Sequence, residues 1–263
     1  MESLPHWIGW HAMALWAAAL ILALFAGDLL WRLARRRKLA ATGKNDYLSP
    51  QPRTAVLLLM LSGALFVVLS WAVWAHTALV GFDVALAQAL RARLSPDVLA
   101  VVALVTNAGT PALLAAVGAA IALLLALKRR WRLFVPWCVA LGGAAACGEA
   151  AKGLVKRVRP FDGHAFLAET SYSFPSGHAT MSMVFFGMLA YLLLRRLQPR
   201  RHRAIVAAAV TLIAIVGVSR VVLQAHYLSD VLAGYALGTF WLVLGIATAE
   251  WMQRRGAQPR RLS

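Results

Sequence analysis

Long apolar runs separated by short polar segments set the rhythm of this 263-residue chain. Runs of about 17 to 25 residues can cross a hydrocarbon layer as helices, and they fall at roughly 8–31, 54–75, 110–127, 133–151, 178–197, 204–222 and 228–251. The pattern predicts seven transmembrane helices and an all-α, polytopic membrane bundle. The third run is the least regular, because Gly109, Thr110 and Pro111 interrupt a longer one that begins near Val98. Residues 77–108 therefore read as an extramembrane, partly helical arm. Within it, 77–97 mixes apolar residues with Asp83, Gln88, Arg91, Arg93 and Asp97, as in an amphipathic helix lying in the outer interface. Its expected role is structural; a lid or a lipid path is the sharper reading. The polar connection 39–53, with Gly43, Asn45, Pro50 and Pro52, sets the first helix apart. The chain thus divides into an N-terminal transmembrane helix and basic loop (1–53), a six-helix core (54–251) and a basic tail (252–263).

Composition agrees with the pattern. Apolar residues make up 61% of the chain and charged residues 14%, against roughly 25% charged in a soluble domain. A cleavable secretory signal is not expected: the first run is too long, no basic stretch precedes it, and Arg32 and Arg35 to Lys38 follow it. Trp7 and Trp10 suit the outer interface, and Asp28 and Arg32 suit a helix-end pair. Cys138 and Cys147 lie nine residues apart in one apolar helix, about 13 Å of axial rise, too far for a mutual disulfide.

The formal charge of +17 is topological rather than a nucleic-acid face. Of 27 Lys and Arg, 20 fall in four places, 32–53, 128–132, 195–203 and 254–261. With seven helices all four lie on one side. Short loops rich in Lys and Arg are cytoplasmic, so the amino terminus is expected outside and the carboxy terminus inside. The other seven cations, Arg91, Arg93, Lys152, Lys156, Arg157, Arg159 and Arg220, fall on the outer side, against the bias. Cations held there imply an anionic ligand.

Five of those seven belong to two stretches that carry the candidate chemistry. In SRVVLQAHYLSD, from Ser219 to Asp230, ionisable groups sit between apolar runs, where desolvation is costly without a partner. On a helix His226 and Asp230 share a face at i and i+4. Asp230 can then accept a hydrogen bond from one ring nitrogen, fix the tautomer and leave the other nitrogen nucleophilic; a helix-end ion pair without chemistry is the plainer alternative. In EAAKGLVKRVRP, from Glu149 to Pro160, a continuing helix places Lys152, Lys156 and Arg159 on one face, and Glu149 can pair with Lys152. The polar loop 161–174 follows, with His164 read as a solvated residue. FPSGH, from Phe174 to His178, then opens a helix. Helix starts bind anions through free N–H groups: Gly177 allows close approach, Ser176 offers a hydroxyl, and His178 stands alongside.

In order these are Lys152, Arg159 and Pro160; Pro175, Ser176, Gly177 and His178; Ser219, Arg220, His226 and Asp230. The set resembles the three-part signature of the type 2 phosphatidic acid phosphatase superfamily, which includes bacterial lipid phosphate phosphatases and, more distantly, soluble acid phosphatases and vanadium haloperoxidases. Every motif position is matched, over 152–230, and the six-helix pattern extends the likeness to about 54–251; the first helix lies outside it. The resemblance implies that His226 attacks phosphorus, Asp230 orients it, and His178 protonates the leaving oxygen. Lys152, Arg159, Arg220, Ser176 and the Gly177 backbone would hold the phosphoryl oxygens. Phosphoryl transfer needs positioning and charge neutralisation above all, which three cations and a helix start can supply. No metal or other cofactor is expected, since no ligand cluster of metal type surrounds the site.

The implied protein is a metal-independent lipid phosphatase of a bacterial-type inner membrane, with its site facing outward. The expected partners are a lipid phosphate substrate and membrane lipids, with no nucleic acid and no assigned oligomeric state. Candidate substrates are polyprenyl diphosphates such as the undecaprenyl carrier, phosphatidylglycerol phosphate, phosphatidic acid or a lipid A phosphate. Lys156 and Arg157 beside the motif lean the choice toward a diphosphate, with Lys156 as the candidate contact for the second phosphate. Two alternatives stand beside hydrolysis: a phosphotransferase using another lipid phosphate as acceptor, and a non-catalytic lipid transporter or binding protein on the same scaffold.

Overall fold

A computed structural model describes residues 4–11, scattered positions from 14 to 32, and 52–107, 109–160 and 171–257. Among them the chain forms α1 (Leu4–Trp10), α2 (Pro52–Trp74), α3 (Ala78–Arg91), α4 (Pro96–Asn107), α5 (Pro111–Leu127), α6 (Trp131–Val155), α7 (Gly177–Leu194), α8 (Pro199–Val222) and α9 (Leu228–Ala257). Helices α2, α6, α7, α8 and α9 are long and apolar enough to cross a membrane, and α5 is a shorter apolar helix. These six match the predicted runs from 54 onward within a few residues. Most of the predicted first helix, with Asp28, lies outside the described residues.

The outer surface explains why six spans were readable. On α2 the residues Val56, Leu57, Met60, Leu61, Val67, Val68, Trp71 and Trp74 are exposed, an apolar face that only lipid can cover. The interior packs by close approach instead. Helix α9 lies against α7, α2 and α6, and α7 also contacts α8, α6 and α5. The α7–α9 contact depends on missing side chains: a Cβ at Gly234 would fall 2.7 Å from the Ser176 carbonyl oxygen, and one at Gly238 2.7 Å from Met183 Cβ. Lipid removes the hydrophobic drive between helices, so such small-residue contacts carry association. Trp137, Met188, Val184 and Ala144 fill the space between α6 and α7.

The arm 77–108 departs from expectation. It is two helices, with the break at 92–95 and Pro96 at the first position of α4, where a proline's missing N–H costs nothing. Neither helix is a loose surface element. Leu99, Val102 and Ala103 of α4 pack on Val222, Leu223 and Ala225 at the end of α8. The Ser219 hydroxyl donates to Thr106 Oγ1 at 2.8 Å, joining the same two helices. Leu86 and Leu90 of α3 pack on Val221 and Leu228, so the arm walls the region where α8 turns into α9.

Candidate active site

Helix α8 ends on a turn that fixes His226. The N–H groups of Gln224 and Ala225 bond to the carbonyls of Val221 and Arg220 at 3.0 and 3.1 Å, the reciprocal pair of a Schellman cap. Gln224 takes the left-handed conformation, with φ of 52°, a position where glycine is usual. Its amide is buried and donates to the Val222 carbonyl. The His226 N–H also reaches the Arg220 carbonyl, at 3.3 Å. His226 therefore sits in a turn before α9, and this corrects the reading of His226 and Asp230 as i, i+4 neighbours on one helix.

The imidazole is held at both nitrogens. Its Nδ1 lies 2.8 Å from the Ser173 carbonyl, and its Nε2 lies 3.2 Å from the Arg159 guanidinium. A carbonyl only accepts and a guanidinium only donates. The proton is therefore on Nδ1, and the Nε2 lone pair faces the cations. Asp230 stands 3.7 Å from Nδ1, beyond hydrogen-bond reach. It acts through Ser173, whose hydroxyl donates to Asp230 Oδ2 at 2.5 Å and lies 3.4 Å from Nδ1. Asp230 is the third residue of α9 and accepts from the Tyr227 N–H at 2.9 Å, the reach-back of a capping box. Burial pushes the His226 imidazole below its ordinary range; Asp230 pulls it up, and Arg220 and Arg159 push it down again.

Arg157 closes the arrangement. Its guanidinium donates to Asp230 Oδ1 at 2.6 Å, Asp83 Oδ2 at 2.9 Å and the Ser229 hydroxyl at 2.8 Å, and lies over the Tyr227 ring at 4.0 Å. Its carbonyl accepts from the Ser173 N–H at 2.8 Å. Asp83 accepts from the Ser229 N–H at 3.2 Å and from its hydroxyl. One arginine thus links α3, the strand of chain after α6, Ser173 and the start of α9 into a ring around His226.

The other motif residues arrive at the same end of the bundle. Helix α6 stops at Val155, and Lys156 takes a left-handed conformation with φ of 49°. This corrects the expectation of a helix running to Pro160 with Lys152, Lys156 and Arg159 on one face. Arg159 reaches the site from extended chain, anchored on the carbonyls of Ser171 and Ala225 at 2.8 Å. Lys156 is exposed, and Arg157 is taken up by two carboxylates, which removes Arg157 from the second-phosphate reading. Lys152 pairs with Glu149 at 2.9 Å. A Cβ at Gly177 would lie 3.6 Å from Lys152 Nζ, so that ammonium stands over the start of α7.

Ser176 is buried as the N-cap of α7, its hydroxyl accepting from the Ala179 N–H, which leaves the hydroxyl proton to donate. Its backbone N–H bonds to the Asp230 carbonyl at 3.0 Å, tying the start of α7 to the start of α9. His178 is buried one residue inside α7. It stands two residues past Ser176, at the end of α7 that is tied to the start of α9. His164 and Glu169 lie outside the described residues. Among the described residues no three His, Cys, Asp or Glu side chains group as metal ligands. Beside Lys152 and Gly177 a cavity of ≈ 150 Å³ runs between α5, α6 and α7, past Pro111, Ala144, Thr180 and Met181.

Asp83, Ser173, Ser229 and the structural use of Arg157 were missed from sequence. Only Asp83 left a signal. It falls on the buried stripe 83, 86, 87 and 90 of α3, an acid where the helical period calls for an apolar residue.

A helical membrane bundle with two histidines and three cations at one end defines a class. The family described as the PAP2 superfamily matches residues 112–255, and the chain belongs to it. A phosphatidylglycerophosphatase B of Bacillus subtilis is 40% identical over 98 residues, 36% of this chain and 48% of that protein. A lipid A 1-phosphatase of Rhizobium etli is 42% identical over 85 residues, 32% of this chain and 31% of that one. The matched regions thus span about half and a third of those relatives. A crystal structure of a transmembrane PAP2-type phosphatidylglycerolphosphate phosphatase from Bacillus subtilis superposes with a TM-score of 0.62 and 27% identity, covering 79% of this chain and 98% of that one.

Proposed function

We propose that this chain is a membrane lipid phosphatase that transfers a phosphoryl group to His226 and then to water. The observation that carries the reading is the fixed tautomer of His226, with Nδ1 tied to the Ser173 carbonyl and Nε2 turned toward Arg159. A histidine so held presents a lone pair where phosphate oxygens would meet guanidinium groups. In the first step Nε2 bonds to phosphorus, the ester P–O bond breaks, and protonated His178 gives its proton to the leaving oxygen. Water then attacks the phosphohistidine, His178 takes back a proton, and phosphate leaves with His226 neutral. Lys152, Arg159, Arg220, the Ser176 hydroxyl and the N–H groups at the start of α7 offset charge on the equatorial oxygens. Asp230 and Arg157 hold the ring and balance the imidazolium-like intermediate.

Three features support a lipid substrate: the bundle is apolar on its outside, the site lies at one end of it, and the cavity beside Lys152 leads between helices. The names of the Bacillus and Rhizobium relatives point to lipid phosphates as well. The catalytic end is assigned to the outer face, because the loops at the other end carry Lys128 to Arg132 and Arg195 to Arg203. Among substrates the diphosphate reading rests on Lys156 alone, exposed at the end of α6.

The test is phosphate release by the purified protein from a panel of lipid mono- and diphosphates, with His226→Ala as control. The reading expects release from at least one member, none from His226→Ala, and full activity in EDTA. Equal release by His226→Ala, or loss in EDTA restored by Mg²⁺, would overturn it.

A further inference from the structure

Helices α6, α7 and α9 each bring one end to the histidines; their other ends meet at a second concave site. It is a cleft of ≈ 680 Å³ lined by Arg129, Arg130, Trp131, Arg132, Arg195 and Arg196. The 25 residues of α6 put about 37 Å between the two ends, a full membrane thickness. We propose that this cleft binds the phosphate-bearing headgroup of an anionic phospholipid in the leaflet opposite the catalytic site.

A topogenic loop needs only charge, scattered and solvated. Here the backbone that carries the charge is held in place. Arg129 takes a left-handed conformation with φ of 51°. The N–H groups of Arg129 and Arg130 bond to the Ala126 and Leu125 carbonyls at 2.8 Å, making a tight turn between α5 and α6. From the other side, Arg195 is fixed by the buried Glu250 carboxylate at 2.8 Å. Tyr191 donates to the same oxygen at 2.7 Å, and Gln253 donates to Tyr191 at 3.2 Å. Glu250 offsets Arg195; among the described residues no carboxylate pairs with Arg129, Arg130, Arg132 or Arg196. Like charges gathered around one hollow repel each other, and an oxyanion relieves this by bridging them.

The surroundings select a lipid over a free ion. Trp131, which lines the cleft, and Trp251, near the same end of α9, are each 53% exposed, with the Arg255 guanidinium 4.1 Å above the Trp251 ring, as in the aromatic belt at headgroup depth. Leu124 and Leu127 on adjoining α5 are exposed, a surface for acyl chains directly beneath. Basic pockets between spanning helices at this level take anionic headgroups.

The test uses the full chain purified in neutral detergent and native mass spectrometry. The probes are dioleoyl phosphatidylglycerol, whose diester is not a phosphomonoester substrate, dioleoyl phosphatidylcholine and inorganic phosphate. The wild type is expected to retain phosphatidylglycerol over phosphatidylcholine, and Arg130→Gln/Arg132→Gln to lose about tenfold in that affinity with its thermal midpoint unchanged. Equal retention of both lipids, or of phosphatidylglycerol by the double variant, contradicts the proposal. So does displacement by millimolar inorganic phosphate, which would make this an ion site. Should the double variant misfold, photo-crosslinkable phosphatidylglycerol on the wild type decides: label within 124–134 or 191–197 supports the site, and label elsewhere overturns it.

Discussion

The two ends of α6, α7 and α9 use the same side chain for different purposes. At the catalytic end Arg159 and Arg220 are buried and the Arg157 side chain is 8% exposed, and Arg157 and Arg159 are aimed by carbonyls, carboxylates and a histidine. At the opposite end Arg129, Arg130 and Arg132 are exposed, on a turn rather than in a core. A buried, pre-aimed guanidinium acts at low dielectric and needs no reorganisation as charge develops on phosphorus. An exposed one is screened by salt and water. Under the proposed function chemistry belongs to the first end, and under the proposed lipid site anchoring belongs to the second, although sequence counts the same cation at both.

The sharpest way to break the comparison is at the nucleophile. His226→Ala is expected to lower kcat by about 10⁴-fold or more, and His178→Ala by about 10²- to 10⁴-fold, in single-turnover assays; a loss under tenfold for either removes it from the chemistry. Next comes the ring that positions His226. Arg157→Met strands the buried carboxylates of Asp83 and Asp230, a loss of about 3–5 kcal/mol measurable by thermal unfolding. Asp83→Asn keeps the Arg157–Asp230 pair and one of the two Ser229 contacts, since a carboxamide has a single acceptor oxygen, and should cost less in both stability and kcat. Equal losses would mean that α3 contributes more than the pairing.

The pH profile probes the same burial. Attack requires neutral His226, whose pKa is lowered, so the acidic limb falls as pH drops through that lowered value, while the need for protonated His178 sets a separate basic limb. The acidic limb of kcat/KM is expected well below pH 6.5, the unperturbed value, and Arg159→Gln should move it upward. A limb at 6.5 or above would contradict the assigned environment. The smallest expected effect is at Lys156. Lys156→Ala should slow a lipid diphosphate several-fold more than the matching monophosphate, and equal factors would remove the second-phosphate reading.

Much of this architecture was legible because lipid imposes its own spelling. Six spans could be bounded from 54 onward because an unbroken apolar run is required at each. The arm was less legible: a break at 92–95 followed by Pro96 looks like any polar turn, and its docking on α8 depends on tertiary fit. At the site, Lys152, Arg159 and Arg220 stood out as cations placed against the topological bias, and the two histidines through the short stretches SRVVLQAHYLSD and FPSGH. Ser173 gave no signal, because its carbonyl and hydroxyl matter only once loop 171–176 lies beside His226. Asp83 and Ser229 meet across 146 positions, beyond any local pattern. The expected helical pairing of His226 with Asp230 failed for a local reason. Gln224 in the left-handed region ends α8 and leaves the histidine on a turn, so the aspartate works through a serine.

The most direct measurement is chemical. Rapid quench of a turnover with phosphorus-labelled lipid phosphate, followed by peptide mapping, should find an acid-labile, alkali-stable phosphoryl group on the peptide containing His226, and the same label should build up in His178→Ala given a phosphate ester whose leaving group needs no proton. No labelled peptide in either protein, or label on another residue with hydrolysis intact, would contradict the assignment of His226 as nucleophile.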